Sequence, residues 1–146
     1  MTKTNYDDPQ VEETWCAQRR SQVETYLADE RLLHGRVGDW PAWHIAPYVS
    51  IWAVESVKRP GSVGWWVICG DLPTDYMSSA AAHHPRDVLR IFGERWQLLA
   101  SKMKHGEVDP DTSVGSTRNI ETLAPLLEAR AAIFAEWAGD DSVWVE

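Results

Sequence analysis

Apolar residues recur at helical spacing in three stretches of the chain and crowd into one continuous run between the first and second. From Pro9 to about Leu33, Val11 and Trp15 stand four apart, and Val23, Tyr26 and Leu27 continue the stripe, which predicts a long helix. Asp8 suits its N-cap, Pro9 its first position, and Glu12 and Glu13 its first turn, where the dipole favours acids; Gly35 is the expected stop. Over His83–Met103, which opens with Pro85, Val88, Leu89, Ile91, Phe92, Trp96, Leu98 and Leu99 give a second helix, with Lys102, Lys104 and His105 in its last turn before Gly106. Ile120, Leu123, Leu126, Leu127, Ala131, Phe134 and Trp137 give a third, capped by Asn119 and carrying Pro125 within its first two turns.

The continuous run is Val63–Met77, VGWWVICGDLPTDYM. Its first part, Val63–Cys69, reads as a strand with Val63, Trp65, Val67 and Cys69 on one face and Trp66 and Ile68 on the other. Both faces are apolar, so the strand is expected to be central, and the only long buried one. Gly70-Asp71-Leu72-Pro73 then turns the chain out of the sheet. Residues 36–47, with Gly38, Asp39, Pro41 and Pro47, read as a loop that must pack or present Trp40, Trp43 and Ile45. Tyr48–Lys58 fits either period. Alternation pairs Val49, Ile51, Ala53 and Val57 but puts Glu55 among them, whereas a helical wheel groups Tyr48, Val49, Trp52, Ala53, Ser56 and Val57. With Pro47 before it and Lys58, Arg59, Pro60 and Gly61 after, helix is the favoured reading. Residues 107–117 are polar, with Thr112-Ser113-Val114 as a short edge strand, and Val143-Trp144-Val145 is expected to tuck back on the last helix. The fold class that follows is α+β: a helix-dominated single domain, 1–146, with a small sheet around strand 63–69.

Composition narrows the function classes. A hydrophobic share of 44% and a charged share of 25% in 146 residues belong to a globular domain with a real core. No apolar run approaches the roughly 18–20 residues that cross a bilayer, and the N-terminal stretch lacks the apolar segment of a signal peptide, so the expected setting is cytoplasmic, with no membrane. A net charge of −8 argues against a nucleic-acid binder and suits a basic protein partner. Two cysteines, Cys16 and Cys69, make neither a disulfide framework nor a CxxC pair. The unusual feature is nine tryptophans, too many for a domain of this size to bury completely; some must line a cleft or a contact surface.

Candidate chemistry is sparse. Asp71, Asp75 and Tyr76 follow the buried run, where two carboxylates suit acid–base work or a cation, though Asp, Pro and Thr are also what turns use. His83, His84 and Arg86 sit at a helix start, where an anion can bind or an imidazole can accept a capping bond; adjacent histidines do not make a metal site, and no metal or cofactor is expected. His44, between Trp43 and Ile45, is either a base among aromatics or a packed side chain bonded to backbone. Cys69 reads as an inert core thiol, and Gly61-Ser62-Val63-Gly64 lacks the length and lysine of a phosphate loop.

WCAQRR (Trp15–Arg20), GDWPAWHIAPY (Gly38–Tyr48), WAVESVK (Trp52–Lys58), GWWVICGDLPTDY (Gly64–Tyr76), HPR (His84–Arg86) and APLLEAR (Ala124–Arg130) together resemble the bacterial "domain of unknown function 4826" family over nearly the whole chain. The resemblance implies a stand-alone bacterial protein and assigns no activity. The Gly-Trp-strand-Gly-Asp pattern is also similar to small immunity proteins of bacterial toxin systems, a likeness that transfers no binding residues.

Two functional expectations follow. In one, the protein is a small acidic binding protein, in the manner of an immunity-like inhibitor, that meets a basic partner on a tryptophan-bearing surface. In the other, it binds a small molecule, or is an enzyme, in a pocket walled by Trp40, Trp43, Trp65 and Trp66, with His44, Asp71, Asp75, Tyr76, His84 and Arg86 as polar groups.

Overall fold

The computed structural model describes residues 4–105 and 120–144. Helix α1 (Pro9–Asp29) begins as the sequence predicts: Asp8 accepts the Gln10 N–H, and Pro9 occupies the first turn. It ends four residues earlier than predicted. Arg31 adopts the left-handed conformation at φ 55°, Arg31 N–H donates to Ala28 O, and Leu32 N–H reaches back to Leu27 O. Those paired bonds are a Schellman close, normally made with glycine, and Leu32 packs against the cluster that holds Leu27. Gly35 is therefore past the stop rather than at it.

Four antiparallel strands follow: β1 (Trp43–Ile45), β2 (Val49–Glu55), β3 (Val63–Gly70) and β4 (Leu72–Ser78), in the spatial order β1-β2-β3-β4. The expected helix over Tyr48–Lys58 is corrected to β2. This strand runs between two neighbours and buries both faces, with Val49, Ile51, Trp52 and Val54 all at 0% exposure. A strand covered on both sides loses the polar alternation that would reveal it. The Lys58–Gly61 punctuation is the β2–β3 hairpin loop, in which Glu55 Oε2 accepts the Gly61 N–H.

The segment 36–47, read as a loop, contains β1 and lies along β2. Gly38 N–H donates to Ala53 O, Ala42 N–H to Ile51 O, and Val37 bridges Val54 and is buried. Nor does Gly70-Asp71 lead out of the sheet. It reverses the chain into β4, so that β3 is one of three long strands. Gly70 sits at φ +146° with an added Cβ only 2.5 Å from Tyr48 O, which leaves no room for another residue at this corner.

By contact pattern the chain falls into two compact units, Met1–Ala80 and Ala81–Glu146. In the first, Val23 and Leu27 of α1 pack on Trp52, Val54, Val67 and Cys69 of the sheet, with Tyr26, Leu32, Trp65 and Tyr76 at the margin. In the second, α2 (Pro85–Lys104) and α3 (Ile120–Ala138) pack as an antiparallel pair around Phe92, Trp96, Leu127 and Phe134. The Trp96 ring lies 5.9 Å from Phe92 and 5.3 Å from Phe134. Gly93 allows the close approach, because an added Cβ would stand 3.3 Å from the Phe134 Cβ. A 3₁₀ turn, Asp141–Trp144, then brings the Trp144 Nε1–H to Trp137 O at 2.9 Å, as the expected tuck requires. The anticipated stop at Gly106, edge strand at 112–114, cap at Asn119 and contact of Val145 lie outside the described residues. The fold class is α+β, with helix predominating over strand. Among the described residues no helix is long and apolar enough to cross a membrane.

Candidate functional site

Strand register sorts the candidate residues. Neighbours along a strand point to opposite faces, and directly paired residues share one. Trp65, on β3, lies on the α1 face in a T-shaped contact with Tyr76, the partner of Val67, with ring centroids 5.7 Å apart. Trp66 points to the other face, with Ile68, and so does Asp75, which pairs with Ile68. Trp43 pairs with Ile51 and shares that second face, whereas His44 pairs with Ser50 and faces α1. The four tryptophans proposed as pocket walls are thus divided between two sides of one sheet. Asp71 is exposed at the β3–β4 corner, where its N–H donates to Tyr48 O at 2.9 Å. Asp75 is fully buried within β4, not on a loop, and its Oδ1 accepts the Tyr76 N–H at 2.8 Å. That bond occupies a strand N–H that would otherwise be offered at the sheet edge.

His84 and Arg86 belong to the helical unit and are occupied there. His84 Nδ1 accepts the Arg86 N–H at 3.0 Å as the N-cap of α2. Arg86 Nε donates to Ala138 O at 2.7 Å, satisfying a C-terminal carbonyl of α3, and its Nη2 pairs with Asp141 at 2.7 Å. Arg86 thus ties the start of α2 to the end of α3, while His84 caps α2 and its ring meets Trp144 at 5.9 Å.

On the α1 face of the sheet unit, His44 meets residues that sequence reading did not join to it. Its Nε2 lies 3.1 Å from Glu12 Oε2, across 32 residues of chain. The His44 ring stacks on Trp15 with centroids 6.2 Å apart, and Trp40 stands edge-on to it at 5.4 Å. Arg19 in turn lies over the Trp15 ring at 5.6 Å. The histidine side chain is 15% exposed and Glu12 39%, while Trp40 is 48% exposed. A carboxylate only accepts, so Nε2 is the donor in this contact. Among the described residues, the buried side-chain polar atoms without a partner are Arg19 Nε and Gln22 Oε1. Glu12 reads in sequence only as a first-turn acid, and no local signal ties it to position 44.

Beneath this cluster, the polar groups of the core satisfy one another. Trp52 Nε1–H donates to Ser50 Oγ at 2.9 Å, and Ser50 Oγ donates to Cys69 O at 3.0 Å while lying 3.3 Å from Cys69 Sγ. Burial pushes the Cys69 thiol up to about 11. Burial, then the Glu12 charge, does the same for Cys16, also to about 11. Both thiols stay protonated and unreactive, in accord with the reading of Cys69 as a core residue. Burial, then the Asp75 charge, raises the Tyr26 hydroxyl well above the ordinary tyrosine range. Among the described residues no group of three or more His, Cys, Asp or Glu side chains is arranged to hold a metal ion.

The fold is α+β, and on the α1 face of its sheet unit a carboxylate-held histidine lies beside a half-exposed tryptophan. The chain belongs to the family described as Domain of unknown function (DUF4826), whose model matches residues 9–144. No curated protein and no solved structure matches it.

Proposed function

We propose that this chain is a cytoplasmic binding protein that receives a basic partner protein on the α1–β1 surface of its sheet unit. The observation that carries the reading is Trp40, 48% exposed and set edge-on to His44, whose imidazole is in turn held by Glu12. An indole half in solvent beside carboxylates is a suitable anchor for a cationic side chain. Asp7, Asp8 and Glu13, all exposed, lie at or near the first turn of α1, and Tyr48, 54% exposed, and Asp71 stand at the far end of the β1–β2 hairpin. The net charge of −8 adds long-range attraction for a basic partner. Inhibition of that partner, in the manner of an immunity protein, is the form of this reading that an acidic, anchor-bearing surface favours.

Calorimetric titration with a lysine-rich peptide and a glutamate-rich peptide of equal length tests the reading. The lysine-rich peptide should bind, lose affinity as salt rises from about 0.05 to about 0.5 M, and bind Trp40→Ala at least roughly fivefold more weakly. Equal binding of both peptides, or none of either, contradicts it. A small-molecule pocket draws no comparable support, because the register separates Trp65 and Trp66 onto opposite faces.

A further inference from the structure

We infer that the basic partner docks by strand addition: an extended segment of its chain lies along the outer edge of β1, bonded to the backbone of His44. The inference rests on the binding reading above and names the form of the partner and the groups that hold it. β1 is one margin of the four-stranded sheet. Which of its backbone groups face outward follows from the bonds of β2. Gly38 N–H donates to Ala53 O, Ala42 N–H to Ile51 O, and Glu55 N–H to Arg36 O, so the odd-numbered residues of β2 turn their backbone toward β1. Trp43 and Ile45 stand opposite Ile51 and Val49 and turn inward to them. His44, opposite Ser50, therefore directs its N–H and C=O away from β2.

The two margins of the sheet differ in this respect. Along β4, Ser79 N–H donates to Gly64 O, a register that turns Asp75 and Met77 toward β3 and Tyr76 away from it. Asp75 Oδ1 takes that outward Tyr76 N–H at 2.8 Å, and an inward-pointing acid is a device that blocks strand addition. β1 itself carries neither an acid nor a proline. Its three residues are half-buried, whereas Val49, Ser50 and Ile51 behind them are fully buried. An added strand alternates its side chains, so every second one falls on the α1 face. Trp40, 48% exposed and edge-on to the His44 ring, offers a lysine or arginine there an aromatic surface. The arginines of this region are engaged, Arg20 with Glu24 and the Val37 and Gly38 carbonyls, Arg36 with Asp39, and Arg19 over the Trp15 ring. Local charge is thus mixed, and backbone bonds define the contact. With three residues β1 offers one outward N–H and C=O pair, so the contact is short.

The test uses the full chain and two peptides of alternating lysine and valine, identical except that one has every backbone amide N-methylated. Amide hydrogen exchange in the free protein should be faster at His44 than at Trp43 and Ile45, and the unmodified peptide should slow it at least roughly tenfold. The methylated peptide, with the same charge and side chains, should bind roughly tenfold more weakly, in the range that one or two lost backbone bonds commonly carry. His44→Pro removes the outward N–H at an edge position, where proline is tolerated, and should bind the unmodified peptide roughly fivefold more weakly than His44→Ala, which keeps it. A His44 amide as slow as its neighbours in the free protein, or equal binding of the two peptides, overturns strand addition and leaves the binding surface standing. Failure of the unmodified peptide to bind the parent protein overturns the surface itself.

Discussion

In the helical unit, His84 accepts the Arg86 N–H, Arg86 holds Ala138 O and Asp141, and Trp144 donates to Trp137 O. In the sheet unit, His44 Nε2 meets Glu12 across 32 residues of chain, beside a tryptophan that is 48% exposed. The two regions draw on similar residue types with different results. Around α2 and α3 the polar side chains complete helix ends, which leave backbone groups without partners unless something supplies them. Around β1 no helix end calls for a cap: the strand pairs with β2, and His44 instead reaches Glu12 of α1. Residue type alone therefore does not mark a site; what matters is whether the local backbone already needs the side chain.

If that contrast is right, the two units should respond differently to perturbation. The largest effect belongs to the aromatic centre of the helical pair: Trp96→Ala should cost about 3–5 kcal/mol in chemical denaturation, since the side chain is fully buried between Phe92 and Phe134. In the sheet unit the sensitive feature is polar. Ser50→Ala leaves the buried Trp52 Nε1–H without its acceptor and should cost about 1–3 kcal/mol by the same measurement. His84→Ala removes a cap and a ring contact with Trp144 and should cost about 1 kcal/mol, with increased amide exchange greatest at the start of α2.

A separate effect, confined to alkaline pH, is a pH dependence of the sheet unit, which holds both thiols. Each has a folded pKa raised to about 11, against roughly 8.5 in the unfolded chain. The native state thus keeps protons that the unfolded state loses as pH rises above about 8.5, so stability falls over that range. Urea midpoints measured on both sides of it should show the decline, and a Cys16→Ala, Cys69→Ala double variant should flatten it.

Much of this architecture is legible in the sequence where one local signal dominates. The α1 start follows from Asp8 and Pro9, the α2 cap from His84 and Pro85, and β3 from its two apolar faces. The missed elements are those whose identity depends on distant pairing. β2 hides its period because neighbours on both sides bury both faces, and β1, with three residues, is too short to have a period at all. The end of α1 is hidden because Arg31 takes a conformation usually given to glycine. Of the candidate residues, His44 and Trp40 do come together, but Glu12 and Trp15 complete their cluster from another element. The separation of Trp65 from Trp66, by contrast, already follows from strand alternation.

The central claim is that the open surface of the sheet unit, and not that of the helical unit, meets a basic protein. Placing a photo-cross-linking amino acid at position 40 and, in a parallel variant, at position 98 tests it directly, because Leu98 of α2 is 59% exposed and Trp40 48%. The account predicts that position 40 captures a protein of strongly basic isoelectric point in native cells, that excess lysine-rich peptide suppresses the capture, and that position 98 does not capture it. Equal capture from both positions, or capture from position 40 of acidic proteins insensitive to the peptide, would contradict it.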